Sequence, residues 1–152
     1  MPVLVISKEM AQMADSVAFE MNNTVKLSTG KFSLFIIEDN KDIQELYMNV
    51  FEATGWQIIG QAYNGYEAIE MYFALEKKPD VVLCDIDLPG CSGLTVIMKI
   101  ISRHPKQNIV VVSGCTDVLK HLNEFICLPT ISKPFSFNIL IDKICTFLIS
   151  LL

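Results

Sequence analysis

The chain has 152 residues, a formal net charge of −5 and 51% hydrophobic residues. That length fits one domain with a short appendage, and the apolar half is ample for a sizeable core. An acidic balance without a run of Lys or Arg argues against nucleic-acid binding by phosphate neutralisation. No uncharged stretch is long enough to cross a membrane, and the one between Asp87 and Lys99 is also broken by Pro89, Gly90 and Gly93.

The opening "MPVLVISKE" has no basic n-region, and its apolar run is too brief for a secretory signal. Met10, Met13, Ala14, Val17 and Met21 recur at helical spacing, which predicts an amphipathic helix over residues 7–22 after a short apolar run at 3–6. Three readings of that segment stay open: a helix packed on its own domain, a dimer arm or partner-binding segment, or disorder. "NNTVKLSTGK" then reads as a linker, so residues 1–30 form an N-terminal extension and residues 31–152 the domain proper.

Residues 34–37 form the first apolar run, expected as a strand. Ile43, Leu46, Tyr47, Val50 and Phe51 then share a helical face, with Gly55 as the C-terminal cap. Residues 57–62 read as a weaker strand. Asn64, with Glu67 three residues on, opens a helix expected to run to Lys77-Lys78 before Pro79. Residues 81–84 are a strand, and Leu94, Ile97, Met98 and Ile101 a helical stripe ended by Pro105. Residues 109–112 are a strand, and Val118, Leu119, Leu122, Phe125 and Ile126 another stripe. Residues 130–132 are a short fifth strand. A final helix begins at Phe137; its apolar residues, from Ile139 and Leu140 to Leu151 and Leu152, exceed one face, which suggests a partner for its outer side.

Alternating strands and helices of this kind give an α/β fold, (βα)5, a doubly wound parallel sheet with right-handed crossovers. Fully apolar strands lie inside a sheet covered on both faces. Strands one, three and four have that character and two and five do not, which matches the flavodoxin-like order 2-1-3-4-5. The N-terminal extension is expected to be partly helical. In such sheets the site lies beyond the C-terminal strand ends. Glu38 and Asp39 follow strand one, Asp85 strand three, Ser113 strand four and Lys133 strand five. Crowded carboxylates repel unless a cation sits among them, and an all-oxygen ligand set suits Mg²⁺. A hydroxyl and a lysine facing that cluster are what phosphoryl oxygens need, with Asp85 as a nucleophile able to form an acyl phosphate.

These residues carry a resemblance. "FIIEDN", "LCDIDLPGCSG", "VVVSG" and "SKPF" occur in order, with Asp39, Asp85, Ser113 and Lys133 separated by 46, 28 and 20 residues in turn. From about residue 31 onward the chain resembles a receiver domain of the two-component response regulator family, in the manner of single-domain chemotaxis regulators. The resemblance implies that Asp85 accepts a phosphoryl group from a phosphohistidine. It implies that Glu38, Asp39, Asp85 and the backbone carbonyl of Asp87 hold Mg²⁺, and that Ser113 and Lys133 bind phosphoryl oxygens. Ser113 would shift toward the phosphate and report its arrival, and the Lys133–Pro134 bond would be cis. The partners implied are a sensor histidine kinase or histidine phosphotransfer protein and a downstream target protein. The chain would be a phosphoryl acceptor with slow self-dephosphorylation and not an enzyme. Where relatives carry an aromatic switch residue three positions before the lysine, this chain has Thr130, which predicts an altered signalling face.

Other readings stand beside this one. Glu38 and Asp39 could simply cap a helix. Asp85–Asp87 also resembles the first motif of haloacid-dehalogenase-type phosphatases, although there the motif follows the first strand and the other acids come later. A receiver-shaped scaffold that takes no phosphate is the third. The five cysteines form no C-x-x-C pair and four sit in apolar surroundings, so buried free thiols and a cytoplasmic location are expected. His104 and His121 lack closely spaced partners and are not read as zinc ligands. Only one helix is expected after "SKPF", so the signal is expected to leave by protein contact, with homodimerisation through the last helix or the N-terminal extension as one route. Neither nucleic acid nor membrane is an expected partner.

Overall fold

The computed structural model describes residues 32–126 and 128–149, the side chains of 145 and 147–149 excepted. The expected helix at 7–22, its linker, Cys127 and residues 150–152 lie outside the described residues. Strands β1 (Ser33–Ile37), β2 (Gln57–Ala62), β3 (Val81–Asp85), β4 (Ile109–Ser113) and β5 (Thr130–Ser132) alternate with five helices. These are α1 (Lys41–Ala53), α2 (Gly65–Ala74), α3 (Gly93–Arg103), α4 (Thr116–Phe125) and α5 (Phe137–Ile149). All pairings are parallel and the order is β2-β1-β3-β4-β5, the flavodoxin-like arrangement.

Strand side chains alternate between two cores because successive residues point to opposite sheet faces. Leu34, Ile36, Val81, Leu83, Val110 and Val112 pack with Tyr47, Val50 and Phe51 of α1 and Leu140 and Ile144 of α5. Phe35, Ile37, Val82, Cys84, Ile109 and Val111 pack with Ala68, Tyr72, Val96, Ile97 and Leu122 from α2, α3 and α4. Burial on both faces is why the three central strands read as unbroken apolar runs.

The starts of α1 and α2 are set by side-chain caps. Asn40 Oδ1 accepts from the amides of Asp42 and Ile43 at 2.9 and 3.1 Å, and Asn64 Oδ1 from Glu67 N at 2.8 Å. Glu67 reaches back to accept from Tyr63 N at 3.0 Å. Helix α1 ends at Thr54, and Gly55 follows with a positive φ of 86° that favours glycine. Helix α2 stops earlier than its pattern suggests, at Ala74 and not Lys77-Lys78. The cause lies downstream: Lys78 Nζ donates to the carbonyls of Tyr72, Phe73 and Leu75 at 2.8, 3.3 and 2.7 Å, closing the helix end. At the N-terminal edge of the sheet, Asp80 Oδ2 accepts from Ser33 N and Oγ at 2.7 and 3.0 Å, tying the starts of β1 and β3.

The cysteine expectation needs correction. Among the described side chains Cys84 is buried, Cys91 is half-buried and Cys115 is exposed; all three are free thiols. Cys115 follows the β4 end in a loop open to solvent, between Gly114 and Thr116.

Candidate functional site

Parallel strands deliver their C-terminal ends to one rim, where Glu38 just past β1, Asp85 at the end of β3 and Lys133 just past β5 meet. Glu38 and Asp85 are buried at 2% and 3% exposure, while Asp39 is exposed. One carboxylate oxygen from each of Glu38, Asp39 and Asp85 lies within 4.8 Å of the others. The Lys133 ammonium bridges two of the three, donating to Asp85 Oδ2 at 2.6 Å and to Glu38 Oε2 at 3.0 Å. Glu38 Oε1 accepts from Asn40 N at 3.1 Å, and Asp85 Oδ1 from Asp87 N at 2.8 Å.

Burial sets the electrostatics. It pushes the Glu38 carboxyl up to about 7; the Lys133 hydrogen bond opposes this and the nearby Asp85 charge adds to it. Lys133 is lowered by burial, but hydrogen bonds to Asp85 and Glu38 outweigh that and hold it above its ordinary value. One ammonium faces three carboxylates, so the rim is short of positive charge. Hard oxygen donors this close together fit a divalent cation such as Mg²⁺.

Ser113, fully buried at the end of β4, donates through Oγ to Asp87 Oδ2 at 3.3 Å and accepts from Cys115 N at 3.1 Å. Lys133 N donates to Ser113 O at 2.8 Å, so β5 pins the lysine beside the hydroxyl, and the Lys133–Pro134 bond is cis. The loop after β3 folds tightly over itself. Gly93 N donates to Ile86 O at 2.9 Å, and a Cβ on Gly93 would run into the Asp85 carbonyl oxygen. Thr130 stands apart from this cluster. Its Oγ1 accepts from Asn123 Nδ2 at 3.3 Å and its carbonyl from Lys143 Nζ at 2.6 Å.

One residue at the site was missed from sequence. Gln44 is completely buried. Its Nε2 donates to the carbonyls of Ile36, Glu38 and Ala62 at 3.3, 3.2 and 2.9 Å, and its Oε1 accepts from Gln61 Nε2 at 3.1 Å. It therefore holds the loop that carries Glu38 and Asp39. The signal was present, since Gln44 stands three and seven residues before Tyr47 and Phe51 on their inward face.

A family model described as the response regulator receiver domain matches residues 34–145. The chain belongs to that family. The polar-differentiation response regulator DivK of Brucella anthropi is 34% identical over 120 residues, covering 76% of this chain and 95% of the relative. The response regulator TrrA of Thermotoga maritima, solved in complex with Mg(2+)-BeF, superposes with a TM-score of 0.68 at 26% identity over 76% of this chain and 97% of its own. The CheX-CheY-BeF3-Mg+2 complex from Borrelia burgdorferi shares the fold, with a TM-score of 0.70 at 22% identity over 77% of this chain and 89% of that one. The protein is thus a receiver domain of two-component signalling, and these relatives lend no support to a haloacid-dehalogenase-type phosphatase or to a scaffold that takes no phosphate. No helix among the described residues is long and apolar enough to cross a membrane.

Proposed function

We propose that Asp85 is the phosphoacceptor and that this receiver takes its phosphoryl group from a phosphohistidine of a sensor kinase or histidine phosphotransfer protein. The observation that carries the reading is the Lys133 ammonium lying 2.6 Å from Asp85 Oδ2 inside a group of three carboxylates. An Asp85 oxygen attacks phosphorus in line as the phosphorus–nitrogen bond of the donor breaks, and the imidazole leaves neutral because its other ring nitrogen carries a proton. Lys133 trades its carboxylate partner for a phosphoryl oxygen, and the Ser113 hydroxyl leaves Asp87 to donate to another. Glu38, Asp39, Asp85 and the Asp87 carbonyl would hold Mg²⁺, whose positive charge would offset the gathering negative charge.

The acyl phosphate then decays slowly by hydrolysis. Asp87 and Cys115, both touching Ser113, flank the approach of water and tune that lifetime; unchanged decay in Asp87→Asn and Cys115→Ala would remove them from this role. Output is by contact with a downstream target in the cytoplasm, from a receiver unit at 31–152 preceded by the extension at 1–30. Thr130, tied to Asn123 and Lys143, replaces an aromatic switch with a small hydrogen-bonded residue, while Phe125 and Ile139 remain exposed at 84% and 50% on α4 and α5. These side chains offer a surface for a target or a second copy, and sedimentation over a concentration series distinguishes a monomer from a dimer.

Intact mass after incubation with acetyl phosphate and Mg²⁺ tests the proposal. A single phosphoryl adduct is expected, lost in Asp85→Asn and with a chelator. An adduct of equal yield in Asp85→Asn would refute the assignment.

A further inference from the structure

Helix α3 turns an unusual face to solvent. Leu94 and Met98 are 39% and 51% exposed, and Tyr66, packed on the Gly90 turn that leads into α3, is 67% exposed. Beside this apolar strip run Lys99 and Arg103, one turn apart and both exposed. Lys106 and Lys78 continue the basic surface around a cleft of about 450 Å³ that Arg103 and Asp80 also line. Lys99, Arg103 and Lys106 are close in sequence, and the fold brings Lys78, whose ammonium also closes α2, alongside.

Acids are few here, although the exposed Glu70 lies one turn along α2 from Tyr66. From Leu88 to Thr116 the chain holds no Asp or Glu. Asp80, at the cleft, spends its carboxylate on Ser33. The ion pairs among the described residues are those of Lys133 with Glu38 and Asp85, so none involves Lys99, Arg103 or Lys106. In a protein of net charge −5 this surface is apolar on one side and basic on the other, which suits an acidic amphipathic helix.

We infer that residues 7–22 of the same chain cover this face. Their apolar stripe is Met10, Met13, Ala14, Val17 and Met21, and at helical spacing Glu9 and Glu20 fall along one edge of it. With one lysine against three acids, the segment carries a net charge of −2. Methionines suit a shallow face of mixed shape. The described chain begins at Phe32, next to Ser33, whose hydrogen bonds to Asp80 place it at the edge of the basic cleft. Nine residues lie between Asn22 and Phe32, and the ten steps they make span up to about 33–36 Å extended. The 11 residues of α3 measure about 16 Å, so both ends of the helix are within reach. Methionine side chains settle on Leu94, Met98 and Tyr66, with Glu9 and Glu20 on the side of Lys99, Arg103 and Lys106.

Methyl NMR on the full chain tests this directly. With methionine methyls labelled, Met98 should show nuclear Overhauser contacts to at least one of Met10, Met13 and Met21. A Glu9→Lys/Glu20→Lys variant, altered only in the extension, should weaken those contacts severalfold. Adding Lys99→Glu/Arg103→Glu to it should restore them. Absence of the contacts, together with Met98 and Leu94 shifts that ignore both sets of charge reversals, would overturn the inference. Contacts found only between differently labelled copies in a mixed sample would also overturn it, by making a second molecule the occupant.

Discussion

Gln44→Met is the most informative single change to the receiver, because it keeps side-chain length and nearly its volume while deleting every hydrogen bond. Gln44 Nε2 serves three carbonyls. Ala62 O retains a donor in Glu38 N at 3.1 Å, and Ile36 lies in the ladder of β1 with β2 and β3. Glu38 O has no other donor among the described residues, and Gln61 Nε2 loses its partner as well. A buried acceptor left unmet costs about 1–3 kcal/mol, and a lost half-buried hydrogen bond about 0.5–1.5 kcal/mol. Greater burial of apolar surface in the methionine offsets about 1 kcal/mol. The net expectation is a loss of about 1–3 kcal/mol, a fall of roughly 1 M in the urea midpoint at an unchanged m-value. Because the freed carbonyl belongs to Glu38, Mg²⁺ affinity should weaken too, and titration calorimetry reads that independently of stability. A variant as stable as the wild type with unaltered Mg²⁺ affinity would refute the claim that Gln44 holds the metal-binding loop.

Three further outcomes are expected. Lys133→Met strands two buried carboxylates, so without Mg²⁺ it should lose about 3–5 kcal/mol at pH 8 in urea melts, with part of the loss recovered as the pH falls and Glu38 takes up a proton. In the wild type the folded state holds the Glu38 proton up to about 7, whereas the unfolded chain releases it near 4.5. The folded state therefore binds more protons in this window, and the metal-free protein should lose about 3 kcal/mol from this group as pH rises across it. Mg²⁺ competes with that proton, so calorimetry should show affinity at pH 6 roughly tenfold weaker than at pH 8. Gly93→Ala and Gly65→Ala drive a methyl into the backbone oxygens of Asp85 and Cys91 and should be strongly destabilised in thermal melts, whereas Gly114→Ala meets nothing and should gain about 0.4–1 kcal/mol.

The sheet was readable because its central strands are covered on both faces and so lose their polar alternation. Each rim residue was readable for a related reason: an acid, a hydroxyl or a lysine directly after such a run has nowhere else to go. Gln44 escaped because a polar side chain among apolar ones reads as surface, and only tertiary carbonyls explain its burial. The early end of α2 escaped because the group that closes it, the Lys78 ammonium, comes from beyond the helix and competes with a pattern that could have continued. Cys115 comes just after an apolar strand, but β4 ends at Ser113 and leaves the thiol in the open loop. Local pattern predicts what a strand buries; it does not see which distant groups return to finish a helix or a loop.

The ion pair between Lys133 and Glu38 joins residues 95 apart in sequence. A polypeptide emerging from the ribosome displays Asp39 and Asp85 long before the ammonium that completes their surroundings has been synthesised. Four strands could already have formed, yet the rim would still carry uncompensated repulsion among its acids. Competence to receive a signal thus arrives only with the last strand, and a half-made or clipped copy stays mute in the circuit.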